Sequence, residues 1–274
     1  MKILFLGTAA AEGVPSPFCD CSTCTHARQT GGRNGRMRAG ALLNDDLLFD
    51  CGPDLGAAAQ RFGLRLSRVE TLLITHAHAD HLLPSNLVWR GPDFCPTPLL
   101  PLHIFGPGPA TQRLRGDPHW PMLAEKGAVS LKTVRAGHRW RSGGYQITAV
   151  PATHAPDQNC LLYIVSDGAH KVFYATDSGP LSERAWRIVA QEAPFDAVLM
   201  EETMGRTPEW SGHHNITTFL ETQQRFARER WLVEGARFVA FHFSHQSNPP
   251  HEELERIFAP HGIVVAYDGM ELML

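Results

Sequence analysis

Thr75-His76-Ala77-His78-Ala79-Asp80-His81, entered from the apolar run Val69-Glu70-Thr71-Leu72-Leu73-Ile74, decides how this chain is read. It sets three imidazoles and a carboxylate within six residues, where a buried strand gives way to a loop. Imidazole and carboxylate are first-row metal ligands that leave room for water, whereas an all-cysteine set closes a site. A loop at a strand end aims neighbouring side chains at one point, while a continuing strand sends them alternately to opposite faces. His76 and His78 are therefore expected to converge on one metal, with Asp80 and His81 on a second beside it. The competing reading is a histidine-rich surface turn, which this spacing after such a strand disfavours.

Two metals need more ligands than one loop supplies, and other strand ends offer them. His154 follows the strand-like run Tyr145–Val150, Asp177 follows Lys171–Ala175, and His242 follows the apolar stretch ending at Phe241. Asp177, with two oxygens, is the natural bridge between two cations. Further strand-like runs are Lys2–Gly7, Gly40–Leu43, Asp46–Asp50, Leu102–Phe105, Val129–Val134, Cys160–Val165, Ala197–Met200, Phe238–Phe241 and Ile263–Tyr267. Helices are expected at Ser182–Ala193, Thr217–Glu234 and Pro250–Phe258. Strands dominate early and helices follow late, which favours an α/β fold of two facing sheets with helices outside over simple βαβ alternation. Gly91–Gly116 reads as a long surface excursion. Its Gly106-Pro107-Gly108-Pro109 lacks the helix start, lysine and hydroxyl of a phosphate loop.

At 274 residues, with 43% hydrophobic and 19% charged residues, the chain suits one soluble domain over 1–274. A net charge of −3 creates no general field for nucleic acid or anionic membrane, so neither is an expected partner. No apolar run reaches membrane-span length, and Met1–Gly7 reads as a strand, not a signal peptide; a cytoplasmic location is the expectation. Three of the six cysteines crowd into Cys19-Asp20-Cys21-Ser22-Thr23-Cys24, which argues for metal over disulfides. Structural zinc wants a fourth ligand, and His245, three residues after His242, is the best placed. A free-thiol or redox cluster is the alternative. Cys51, Cys95 and Cys160 read as inert core thiols.

Gly212-His213-His214-Asn215 precedes the long helix and offers two histidines near the expected site. Glu201 and Glu202 end a strand, either orienting ligand histidines or serving as plain strand-end charges. Arg28, Arg33, Arg36 and Arg38 read as a solvated basic loop in preference to a phosphate contact. Phe219, Phe226 and Trp231 mark helix core or a subunit interface.

The His-x-His-x-Asp-His run, the later His154, Asp177 and His242, and Asp50 in Leu48-Phe49-Asp50-Cys51-Gly52 together resemble the metallo-β-lactamase superfamily over nearly the whole chain. The resemblance implies an αββα sandwich with a dinuclear site between the sheet edges. It places one metal on His76, His78 and His154, the other on Asp80, His81 and His242, and Asp177 between them. Hydroxide held between two divalent cations is available near neutral pH, and a histidine is suited to protonating the leaving alkoxide. The resemblance favours His213 for that step, with His214 a surface residue at the helix start. The segments Leu6–Pro15, Phe243–Gln246 and Tyr267–Glu271, with the cysteine cluster, are similar to the PhnP family of cyclic phosphodiesterases. That family implies hydrolysis of a phosphoribosyl 1,2-cyclic phosphate or a nucleoside 2′,3′-cyclic phosphate. It also implies two active-site zinc or manganese ions, with one structural zinc on Cys19, Cys21, Cys24 and His245. Family analogy allows a homodimer. Leu82-Leu83-Pro84-Ser85 lacks a glycine many members carry, Met204–Ser211 reads as lengthened, and Gly91–Arg141 shows little match. A transfer-RNA 3′-end endonuclease and a PqqB-like carrier protein are the alternatives.

Overall fold

The computed structural model describes residues 1–208 and 212–274. The chain begins with β1 (Lys2–Gly7), β2 (Gly40–Leu43), β3 (Leu47–Phe49), β4 (Thr71–Leu73), β5 (Leu102–Gly106) and β6 (Val129–Thr133). It continues through β7 (Arg139–Ser142), β8 (Tyr145–Pro151), β9 (Leu161–Ser166), β10 (Lys171–Ala175), β11 (Phe195–Glu201), β12 (Leu232–Phe241) and β13 (Ile263–Val265). β14 (Glu271–Met273) returns to pair with β1. The strands form two seven-stranded sheets, ordered β14-β1-β2-β3-β4-β5-β6 and β13-β12-β11-β10-β9-β8-β7. Each is antiparallel on one side and parallel on the other, changing character at β3 and at β10.

Period-two patterning explains why the sheets stack. Ile3 and Phe5 of β1 face a core shared with Ile147, Tyr163 and Val172 of the second sheet, while Leu4 and Leu6 face the opposite layer. Phe49 stacks on Tyr174 across the interface, with ring centroids 4.2 Å apart. The outer faces are covered by α2 (Leu55–Arg61), α3 (Gly108–Arg115), α4 (Trp120–Glu125), α5 (Glu183–Glu192), α6 (Ile216–Arg228) and α7 (His251–Phe258), while Ala27 of α1 (Ser22–Thr30) packs with Ala9 and Val14 of the N-terminal loop. Ala58, Ala110, Leu114 and Leu123 pack on the outside of the first sheet; Trp186, Phe219, Phe226 and Leu254 pack on the second. The architecture is the expected αββα sandwich.

Several local expectations are corrected. The helix expected over Thr217–Glu234 ends at Arg228: Arg230 takes φ 57°, and Leu232–Glu234 already belong to β12. Gly91–Gly116 is not a bare excursion, because it contains β5 and the whole of α3. A helix does begin at Gly108, contrary to the reading of Gly106–Pro109. β7 and β14, four and three residues long, are additional to the expected strands. Ser182 does cap α5, accepting from the Ala185 N–H at 3.2 Å. Phe219 and Phe226 are fully buried core, and Trp231 packs against them. Cys51 and Cys160 are buried, but Cys95 is partly exposed. No described helix is long and apolar enough to cross a membrane.

Candidate metal centre

The site is assembled from strand ends on one rim of the sandwich. β3 leads to Asp50, β10 leads to Asp177 and β12 leads to His242, and all three adopt positive φ, at 61°, 50° and 65°. Such backbone in non-glycine residues costs roughly 1–3 kcal/mol each and persists where the surroundings over-determine it. Here it turns each side chain inward as the strand stops. Gly52 lets the motif loop pack close, since a Cβ there would lie 1.9 Å from the Asp80 carbonyl oxygen.

The motif loop brings its side chains together. His76 Nε2 lies 2.9 Å from His78 Nδ1, and His154 Nε2 lies 3.3 Å from the same atom. Beside them, Asp177 Oδ2 stands 2.6 Å from His81 Nε2, 3.3 Å from His242 Nε2 and 3.9 Å from His76 Nε2. Asp80 Oδ2 is 3.1 Å from His81 Nε2. Asp177 thus lies between the His76/His78/His154 set and the Asp80/His81/His242 set.

These donors fit cations on physical grounds. His81 Nε2, His242 Nε2 and Asp177 Oδ2 are buried without a hydrogen-bond partner, a costly arrangement unless something occupies their common focus. Burial holds His76 and His154 below the ordinary histidine range, keeping their lone pairs free for coordination. Burial would also lower His81, but Asp177, Asp80 and Asp50 outweigh it and raise its proton affinity; a cation at that focus takes the proton's place.

A surrounding ring of hydrogen bonds orients the donors. The Asp50 carboxylate lies 2.8 Å from His81 Nδ1 and accepts from the Thr75 N–H at 2.8 Å, so His81 presents Nε2 to the centre. Glu201 is fully buried and does orient histidines: its Oε1 lies 3.0 Å from His213 Nδ1 and accepts from the Ser178 and His214 N–H groups. Its Oε2 accepts from the Thr203 N–H at 2.9 Å and from the Thr203 hydroxyl, whose oxygen is 2.9 Å from His242 Nδ1. Thr203 escaped the sequence reading because a lone threonine after two glutamates carries no metal-ligand signal. Glu202 is buried with both carboxylate oxygens unpartnered, and burial with Glu201 beside it pushes its carboxyl well above the usual range.

His213 and His214 separate cleanly. His213 reaches the centre, 3.7 Å from Asp177 Oδ1. Burial lowers its proton affinity, but Glu201 and then Asp177 prevail and push it up to about 9. His214 is not the surface residue expected: it is fully buried, its Nδ1 lies 3.0 Å from the Thr218 hydroxyl, and burial pushes it down to about 4. Within the segment Met204–Ser211, Glu209–Ser211 lie outside the described residues.

A second donor set lies at the N-terminal loop. The sulfurs of Cys19, Cys21 and Cys24 and a ring nitrogen of His245 all fall within 4.8 Å of one another, with Cys21 Sγ 3.5 Å from His245 Nδ1. The basic loop does not face the metal centre. Arg36 is buried, donating to the Thr8 hydroxyl and the Ala266 carbonyl, so the solvated reading fails for it. Arg28 binds the Cys19 and Ser16 carbonyls, Arg33 pairs with Glu255, and Arg38 pairs with Asp54.

The fold and this clustering carry a family assignment. The model of the Beta-lactamase superfamily domain matches residues 46–256, and the chain belongs to that superfamily, whose members typically bind divalent metals such as zinc. Among solved structures, it is similar to a diphosphatase of the PhnP family, with TM-score 0.74 and 21% identity, covering 100% of this chain and 97% of the other. It is similar to zinc-bound PqqB from Methylobacterium extorquens, with TM-score 0.77 and 20% identity over 100% of both chains. A curated relative, Ribonuclease Z of a Picosynechococcus species, is 29% identical over 159 residues, 56% of this chain and 44% of that one. The chain spans about half the length of the curated relatives it matches.

Proposed function

We propose that this chain is a metal-dependent phosphodiesterase that opens a small cyclic phosphodiester, of phosphoribosyl 1,2-cyclic or nucleoside 2′,3′-cyclic type. The observation that carries the reading is His213: a proton-rich imidazole, anchored by buried Glu201, beside a focus of seven convergent metal-ligand side chains. His76, His78 and His154 would hold one divalent ion, Asp80, His81 and His242 a second, with Asp177 shared; zinc or manganese suits this donor set. When bound, such ions supply Lewis acidity toward phosphoryl oxygens and activated water near neutral pH.

The remaining chemistry belongs to the chain. Glu201 and then Asp177 raise the proton affinity of His213 against the effect of its burial, which suits it to hold a proton. Glu201 engages Nδ1, which leaves the Nε2 proton to be given to the departing alkoxide. Asp80 stays ionised, because His81 outweighs the effect of its burial. Asp50 and Thr203 hold His81 and His242 in register. Cys19, Cys21, Cys24 and His245 would hold a structural zinc.

A transfer-RNA-processing activity is the second reading, favoured by the likeness to Ribonuclease Z. The net charge of −3 weighs against it, since nucleic-acid enzymes usually carry a basic footprint. The deciding experiment is hydrolysis of a 2′,3′-cyclic nucleotide and of a transfer-RNA precursor by metal-replete protein, with His76→Ala as control. Turnover of the cyclic nucleotide alone, lost in the variant, is the expected result. Cleavage of the precursor alone transfers the assignment to the second reading, and no turnover with metals bound removes both.

A further inference from the structure

Buried His245 has two ring nitrogens, and each faces a different partner. Nδ1 lies 3.5 Å from Cys21 Sγ, where the three cysteines gather. Nε2 lies 3.3 Å from Oε1 of Glu12, on the loop between β1 and the cysteine run. An imidazole that ligates a metal through one nitrogen carries its proton on the other. A carboxylate at that N–H fixes the tautomer, sets the plane of the ring and strengthens the ligand.

Glu12 is itself held in place. It sits in a tight turn closed by the Gly13 N–H, which donates to the Ala10 carbonyl at 3.0 Å, with Gly13 at φ 72°. The Ala10 N–H donates to the Phe243 carbonyl at 3.0 Å, and this lays the turn against the segment that carries His245. The hydroxyl of buried Ser244 then donates to Glu12 Oε1 at 2.6 Å, the same oxygen that faces His245. Among the described residues, no Lys or Arg pairs with Glu12, and its ion-pair partner is His245. A hydroxyl and an imidazole on one oxygen, both from the neighbouring segment, make an orienting carboxylate out of a loop acid.

The cysteine cluster fits zinc by its donors, three sulfurs and one nitrogen within 4.8 Å of one another. We infer that Glu12 is a positioning residue for a metal at that cluster, holding the His245 Nε2 proton so that Nδ1 presents its lone pair to the ion. The inference rests on the proposed structural zinc and adds a residue that sets its affinity. It also makes the Ala10–Gly13 turn part of the metal site: the ion, the cysteine run and the segment after β12 are drawn together through Glu12 as well as through the four ligands.

The test uses cobalt as the probe. Thiolate-to-cobalt charge-transfer absorption reports the cysteine cluster alone, because the rim donors include no sulfur. Cobalt affinity is measured by chelator competition, and zinc affinity by displacement of the band, in the wild-type protein and in Glu12→Ala, Glu12→Gln and Ser244→Ala variants. Glu12→Ala should weaken binding by about 10–100-fold, the scale of losing a carboxylate behind a ligating histidine. Glu12→Gln, whose amide oxygen still accepts from the N–H, should recover part of that loss. Ser244→Ala should cost less, and should add nothing once Glu12 is gone. Unchanged affinity in Glu12→Ala, or lower unfolding stability at saturating zinc without weaker binding, overturns the positioning role. If Glu12→Ala does not fold, unchanged affinity in both Glu12→Gln and Ser244→Ala overturns it instead. A wild-type protein with no thiolate–cobalt band removes the zinc assignment and the inference with it, whereas a normal band of unchanged affinity in the variants removes the inference alone.

Discussion

The two donor clusters of this protein differ in how they are built. The rim site draws seven side chains from four separated segments, mixes nitrogen with oxygen, and is oriented by buried carboxylates. The cysteine cluster draws three side chains from one six-residue run and a fourth from His245, and it offers three sulfurs and one nitrogen. A closed sulfur-rich set stabilises a fold, while an open nitrogen and oxygen set leaves positions for substrate and water. The two are mechanically linked. Phe243, between His242 and His245, donates to the Thr8 carbonyl at 2.9 Å and accepts from the Ala10 N–H at 3.0 Å, so the N-terminal strand braces both.

The comparison predicts unequal consequences when each cluster is broken. Asp177→Ala removes the group shared by both halves of the rim site, and kcat/KM for a cyclic diester should fall by about 10³-fold or more, the scale of losing a strong electrostatic stabiliser. Retention of most activity together with full metal content would show that Asp177 does not join the two halves. His213→Ala should cost about 10²–10⁴-fold on an alkyl leaving group and far less on a nitrophenyl leaving group, with metal content unchanged. Equal losses on both esters would remove its role as the acid. Cys21→Ser should act on stability instead, removing one zinc equivalent and lowering Tm by roughly 10 °C, about 3 kcal/mol for a chain of this size. A protein that keeps its zinc count and loses turnover would invert the contrast between the sites.

The smallest effect concerns the brace itself. Asp268 accepts from the Thr8 hydroxyl at 2.8 Å and the Met37 N–H at 2.6 Å, and burial pushes its carboxyl up to about 6. A raised folded value means that the folded chain binds the proton more tightly. The stabilisation is complete below about pH 4 and is lost as pH rises through about 6, with a slope of at most ~1.4 kcal/mol per unit. Asp268→Asn should flatten that slope in denaturant titrations between pH 4 and 6.5, and an unaltered slope would assign it to other groups.

Legibility followed the range over which each signal acts. The core motif was readable because its four candidate metal-ligating side chains fall within six residues, and His154, Asp177 and His242 because each follows a strand with a clear apolar run. The early helices were not. Cys21 caps α1, its sulfur accepting from the Cys24 N–H, where a sequence reading looks for serine or aspartate. α2 and α4 are only seven and six residues long and gain their stability by packing on the first sheet. The apolar spacing of α6 runs on past its true end because Trp231 folds back onto the same cluster that α6 covers.

By itself, the sequence determined the two-sheet class, the identity of the convergent ligand types and the presence of a separate cysteine cluster. Those are carried by local periodicity and by residue chemistry. Only the tertiary structure decided that Glu201 is buried and grips His213, that Thr203 links Glu201 to His242, and that His214 points into the core. It alone decided that Arg36 is structural and that Glu12 stands beside His245. The physical reason is the same in each case. A titratable side chain owes its role to groups distant in sequence that desolvate or pair it, and chain order does not encode that environment locally.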